Sequence, residues 1–175
     1  MTKVLVATAS RHGATDDIAR VIGEILADTG LDVSVAPMSE VDALAPYDAF
    51  VLGSAIYLGR WLREARSFVE DHHELLSTRP TWLFSSGPVG DGPAADPVDP
   101  RGLMELTQAR DHCLVGGRLD SNLLGLRERA VVKLVRAEDG DHREWDTVAA
   151  WATAIARTLN DTVNRSEARP GIPRR

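Results

Sequence analysis

The stretch "KVLVATASRHGAT" covers residues 3–15. Its first part, "KVLVATA" (3–9), is a short, nearly continuous apolar run, the pattern of a strand buried on both faces. Its second part, "ASRHGAT" (9–15), leads into a helical pattern over Thr15 to Thr29, with Ile18, Val21, Ile22, Ile25 and Leu26 on one stripe. Thr15 fits an N-cap and Gly30 a C-terminal stop. The turn between strand and helix reads in two ways. It can hold an anion, because the first amides of a helix have no acceptor and the helix dipole favours negative charge there. Ser10 and Thr15 would add hydroxyls, Arg11 a charge, and Gly13 a close backbone approach. It can equally be a capped strand-to-helix turn. Asp16 and Asp17 suit the dipole but repel a phosphate unless their side chains turn away.

Working outward, "DAFVLGSA" (48–55), "TWLFSSG" (81–87) and "HCLVGGRL" (112–119) are further buried runs, the last weakened by Gly116 and Gly117. "DVSVAPM" (32–38) alternates and carries Pro37, which suits an edge strand. Helical stripes separate these runs. Trp61 to Leu76 places Trp61, Leu62, Ala65, Phe68, Val69, Leu75 and Leu76 on one face. A weaker helix is predicted over Leu123 to Val135, and a final helix over 142–160. Alternating strands and helices predict an α/β fold: a single three-layer, doubly wound parallel sheet. One domain over residues 1–162 is expected, followed by a disordered tail over 163–175 that lacks apolar anchors.

The totals narrow the function. A net charge of -6 and a pI near 5.3 disfavour nucleic acid, which needs a basic face. The single cysteine, Cys113, excludes an internal disulfide and a multi-cysteine metal site, and reads as a core residue. No apolar run approaches the roughly 20 residues of a membrane span, and no secretory h-region opens the chain. A reducing cytoplasm is therefore the expected compartment. His72 and His73 are helix neighbours that do not share a face. "EDGDH" (138–142) lacks calcium-loop spacing. No metal site, Ser-His-Asp set or other catalytic side chain is predicted.

In an open parallel sheet, ligands bind beyond the carboxyl ends of the strands, where strand order reverses. The loops there are "ASRHGAT", "GSAIYLGRW" (53–61) and "SSGPVGDG" (85–92). The first has only Gly13, not a G-x-G-x-x-G fingerprint, and no G-K-[ST] follows it. The third strand ends in Gly53-Ser54, not in a phospho-accepting Asp.

Together these loops resemble those of the flavodoxin-like, FMN-binding family. Ser10-Arg11-His12-Gly13-Ala14-Thr15 is similar to its phosphate loop. Gly53-Ser54-Ala55-Ile56-Tyr57-Leu58-Gly59-Arg60-Trp61 resembles its second flavin loop. The likeness is greatest to the flavodoxin-domain group that includes the menaquinone-dependent protoporphyrinogen oxidase, which favours S-T-R-x-G-x-T and then G-x-S-I-x-x-G-x-[FW]. "GGRLD" (116–120) and "VVKLVRAEDGDHREWDTV" (131–148) also resemble that group, so the likeness spans residues 3–160.

The resemblance implies strand order 2-1-3-4-5 and bound FMN. Ser10, Arg11, His12, Gly13, Ala14 and Thr15 would cradle its phosphate. Ser54, Ala55, Ile56, Tyr57, Leu58 and Gly59, with Ser86, Gly87, Pro88, Val89 and Gly90, would border its ring. Tyr57 or Trp61 could stack on the ring, and a core role for Trp61 is equally compatible with the pattern. The implied function is an FMN-dependent oxidoreductase working between a small donor or quinone and an acceptor. A non-enzymatic electron carrier with a redox partner protein and a flavin-free interaction module are the alternatives. One departure bears on the choice: only "DSNLLGLRER" stands where the oxidase carries a longer aromatic and basic segment.

Overall fold

The computed structural model describes residues 1–57, 59–87, 98–116, 118–119, 140–141 and 144–167. The chain runs β1 (Lys3–Ala9), α1 (Ala14–Asp28), β2 (Asp32–Pro37), a 3-10 turn (Met38–Glu40), β3 (Ala49–Tyr57), β4 (Arg60–Trp61) and α2 (Arg63–Thr78). It continues through β5 (Thr81–Gly87), α3 (Val98–Thr107), β6 (His112–Gly116), β7 (Arg118–Leu119), β8 (Gly140–Asp141) and α4 (Trp145–Glu167). The main sheet has the order β2-β1-β3-β5-β6, all parallel, with the two-residue β4 added antiparallel to β3. Leaving β4 aside, this is the predicted order 2-1-3-4-5. β7 and β8 form a separate antiparallel ribbon.

Alternation along β1 builds the two cores. Val4 and Val6 point to one face, where they join Ile18, Ile22 and Leu26 of α1 and Val148, Ala152, Ile155 and Leu159 of α4. Leu5, Ala7 and Ala9 point to the other face, joining Phe50 and Leu52 of β3, Ala65, Phe68 and Val69 of α2, and Leu103 of α3. Helices therefore cover both faces, which is why β1, β3 and β5 read as continuous apolar runs and not as alternating ones. β2 is the edge, its Val35 is exposed, and Pro37 closes it. Cys113 is buried, as its apolar setting predicts.

Several boundaries differ from the sequence expectation. Trp61 and Leu62 do not open α2. Gly59 takes φ 74, a left-handed conformation suited to its missing Cβ, and the chain then turns back so that Trp61 pairs with Ile56 and Arg60 with Tyr57. The apolar spacing that joined Trp61 to the α2 stripe arises from a strand residue packing under the same core. The last sheet strand stops at Gly116, and Arg118 and Leu119 belong to the ribbon. The final helix starts at Trp145 and extends to Glu167, past the expected end at 160 and into the segment expected to be a disordered tail. The helix predicted over Leu123 to Val135 and residues 168–175 lie outside the described residues.

Candidate functional site

From β1 the chain crosses one way to β2 and the other way to β3, so strand order reverses at the carboxyl end of β1. The register brings the predicted loops together there. Ala9 lies beside Ser54, Ser54 beside Ser85, and Ala55 beside Ser86. Residues 10–15, 55–57 and 86–87 thus leave the same edge of the sheet. Leu58, Pro88, Val89 and Gly90 lie outside the described residues.

The β1–α1 turn is built around Gly13. Its φ of 80 is left-handed, and a Cβ there would meet nothing within 4 Å, so the backbone face is open. Gly13 is the N-cap of α1, and its carbonyl accepts the Asp17 N–H at 3.0 Å. The N–H groups of Ala14, Thr15 and Asp16 precede the first intrahelical bond and point back toward the turn. Ser10 Oγ accepts the Gly13 N–H at 3.1 Å, which leaves the Ser10 hydroxyl proton to donate elsewhere. His12 and Arg11 are exposed.

Thr15 corrects the sequence reading. It is not the N-cap, and α1 has no side-chain cap at all. Instead Thr15 sits in the first helical turn at 1% exposure, and among the described residues its Oγ1 has no hydrogen-bond partner. A buried hydroxyl without a partner costs about 1–3 kcal/mol.

The two carboxylates that could repel an anion are both engaged. Asp16 Oδ1 accepts from Thr8 Oγ1 at 2.7 Å, and Asp17 Oδ1 pairs with Arg20 Nη1 at 3.0 Å. Arg11 does not simply enter solvent. Its guanidinium carbon lies 5.1 Å from the centre of the Tyr57 ring, which ties the first loop to the end of β3.

Other predicted residues serve the scaffold. Ser54 is fully buried; its Oγ donates to the Ala55 carbonyl at 2.9 Å and accepts the Leu62 N–H at 3.0 Å. Trp61 is 2% exposed, within the α2–α3 core, and its Nε1–H donates to Ser85 Oγ at 2.7 Å. Trp61 is therefore a core residue and not a stacking surface. Ile56 packs over Gly87, at 3.2 Å from where a Cβ of Gly87 would sit.

Ser85 Oγ also meets His112 Nε2 at 2.8 Å. Burial pushes the His112 imidazole below its ordinary value of 6.5, against the opposing pull of Asp111. A neutral ring with its proton on Nδ1 accepts the Ser85 hydroxyl proton while Ser85 accepts from Trp61. The one advance signal was the pair of serines inside the apolar run "TWLFSSG". Burial, then Asp111 and Glu144, pushes the Cys113 thiol up to about 11, so it stays protonated. Among the described residues, no group of three or more His, Cys, Asp or Glu gathers as a metal site. None of the helices searched there is long and apolar enough to cross a membrane.

Comparison with known proteins gives a consistent class. The model of the flavodoxin domain family matches residues 5–146, and the chain belongs to that family. Among curated proteins, it is 24% identical over 171 residues to the protoporphyrinogen IX dehydrogenase [quinone] of Escherichia coli strain K12, covering 88% of this chain and 94% of the relative. Among solved structures, oxidised flavodoxin 2 from Bacillus cereus superimposes with a TM-score of 0.63 at 21% identity, over 90% of this chain and 99% of that one. Rubredoxin oxygen:oxidoreductase from Desulfovibrio gigas gives a TM-score of 0.64 at 16% identity. It covers 93% of this chain, which spans only 37% of that much longer protein. These two structural likenesses establish the fold.

Proposed function

We propose that this chain is an FMN-dependent oxidoreductase that passes electrons between a small donor or quinone and an acceptor in a reducing cytoplasm. The observation that carries the reading is the Thr15 hydroxyl at the positive end of α1, buried and without a partner among the described residues. A phosphate at the β1–α1 turn would satisfy it, together with the free amides of the first helical turn. Ser10 would donate its remaining proton. Gly13 would let the phosphate approach the backbone, and Asp16 and Asp17 are held elsewhere by Thr8 and Arg20.

The residues fit the phosphate of FMN, and the neighbouring edge fits its ring. Ala55, Ile56, Tyr57 and Gly59 are partly exposed at the end of β3, and Ser86 and Gly87 lie one strand over. Their backbone groups would orient the ring, and the partly exposed Tyr57 ring would cover one side of it. Bound FMN supplies the redox chemistry, and the protein supplies position and electrostatics. What supports a quinone as the partner class is the likeness, over most of both chains, to a dehydrogenase whose name specifies quinone.

The test is a titration of apo-protein with FMN followed by flavin fluorescence. Stoichiometric binding that weakens in Ser10→Ala and Thr15→Ala is expected, followed by turnover with a quinone. Folded apo-protein that ignores FMN would overturn the reading.

A further inference from the structure

We infer that Arg11 is a positioning residue for charge: it favours the two-electron-reduced flavin over the oxidised one. This deepens the proposed function and rests on it. A cation in a phosphate loop would be expected to serve the phosphate. Here the guanidinium instead stands 5.1 Å from the centre of Tyr57, whose ring belongs to the end of β3 and not to the turn around Gly13. The turn already has its own donors in Ser10, Thr15 and the first amides of α1. Arg11 thus carries positive charge from the phosphate half of the site to the ring half.

The chemistry of reduction gives that charge a role. Oxidised FMN takes up two electrons and one proton at N5, and the second negative charge stays on the pyrimidine side of the ring. The electrons come from the donor, or from an electrode in the test. A nearby guanidinium stabilises the charge that appears and does little for the neutral oxidised ring. Arg11 is exposed, so solvent and salt moderate its effect.

Spectroelectrochemistry at saturating FMN, with fluorescence titration alongside, reads the effect directly. Arg11→Gln is expected to lower the preference for reduced over oxidised flavin about tenfold, which is about 30 mV on a two-electron couple. Arg11→Lys keeps the charge but not the planar contact with Tyr57, and should fall between. High salt should shrink the gap between wild type and Arg11→Gln. An arginine that served the phosphate would weaken both redox forms equally. Weaker FMN binding with an unmoved potential would therefore overturn this inference and leave the functional reading standing. Failure of the wild type to bind FMN at all would overturn both.

Discussion

Two sets of buried hydroxyls lie near the same end of the sheet, and they are completed differently. Ser54 and Ser85, on β3 and β5, have every role filled from within the chain. Ser54 holds Leu62 and Ala55; Ser85 holds Trp61 and His112. Thr15, in the first turn of α1, is as deeply buried, and its hydroxyl has no partner among the described residues. A folded chain tolerates an unmatched buried hydroxyl only where something else repays the cost of about 1–3 kcal/mol. The filled set is scaffold. The unfilled one is the hydroxyl that the proposed phosphate would satisfy.

Breaking the filled set should cost most. Trp61→Ala removes a large buried ring and a hydrogen bond, and should lower unfolding stability by about 3–5 kcal/mol in urea titration. A loss below 1 kcal/mol would mean that Trp61 is not packed as described. Ser85→Ala should cost about 1–3 kcal/mol, because the Trp61 N–H is left buried without its acceptor. The double variant Ser85→Ala with Trp61→Phe should cost less than the sum of the single changes, since the two share one interaction.

A milder probe of the same set is pH. Burial lowers the folded pKa of His112 below its ordinary value of 6.5, so the unfolded chain binds this proton more readily. Stability from the neutral ring is complete above about pH 6.5 and declines as pH falls through the lower folded value. His112→Gln keeps an acceptor for Ser85 and should flatten that part of the melting-temperature profile. An unchanged profile would assign the acid sensitivity to other groups.

The smallest stability effect belongs to the unfilled set. Thr15→Val replaces a buried hydroxyl that has no partner among the described residues with a methyl group, and should raise the stability of the apo-protein by about 1 kcal/mol. The same change should weaken FMN binding about tenfold, the scale of one hydrogen bond to a charged group. A stability loss as large as that of Ser85→Ala would erase the contrast between the two sets.

Much of this was legible in the sequence. β1, β3 and β5 announced themselves because a strand covered on both faces needs apolar residues at every position, and their order came only with the resemblance to the flavodoxin-like family. The loops around residues 10–15 and 54–59 were legible as a group because glycine and hydroxyl residues clustered behind those strands. Thr15 was misread because a threonine ahead of an apolar stripe has the chemistry of a cap; the left-handed Gly13 moved the cap two residues earlier. Trp61 was misread because helical spacing and burial under a shared core leave the same trace. The Trp61–Ser85–His112 set showed in the sequence only as two serines inside an apolar run, since its members stand 24 and 27 residues apart and meet only in the fold.

The helix that presents Thr15 is covered by α4. Ile18, Ile22 and Leu26 of α1 share a core with Val148, Ala152, Ile155 and Leu159 of α4, and Asn160 reaches Thr29 across 131 residues of sequence. On a ribosome α1 is made before α4, so its apolar face lacks that cover until α4 follows. A nascent chain stalled before α4 would thus offer a chaperone that apolar stripe.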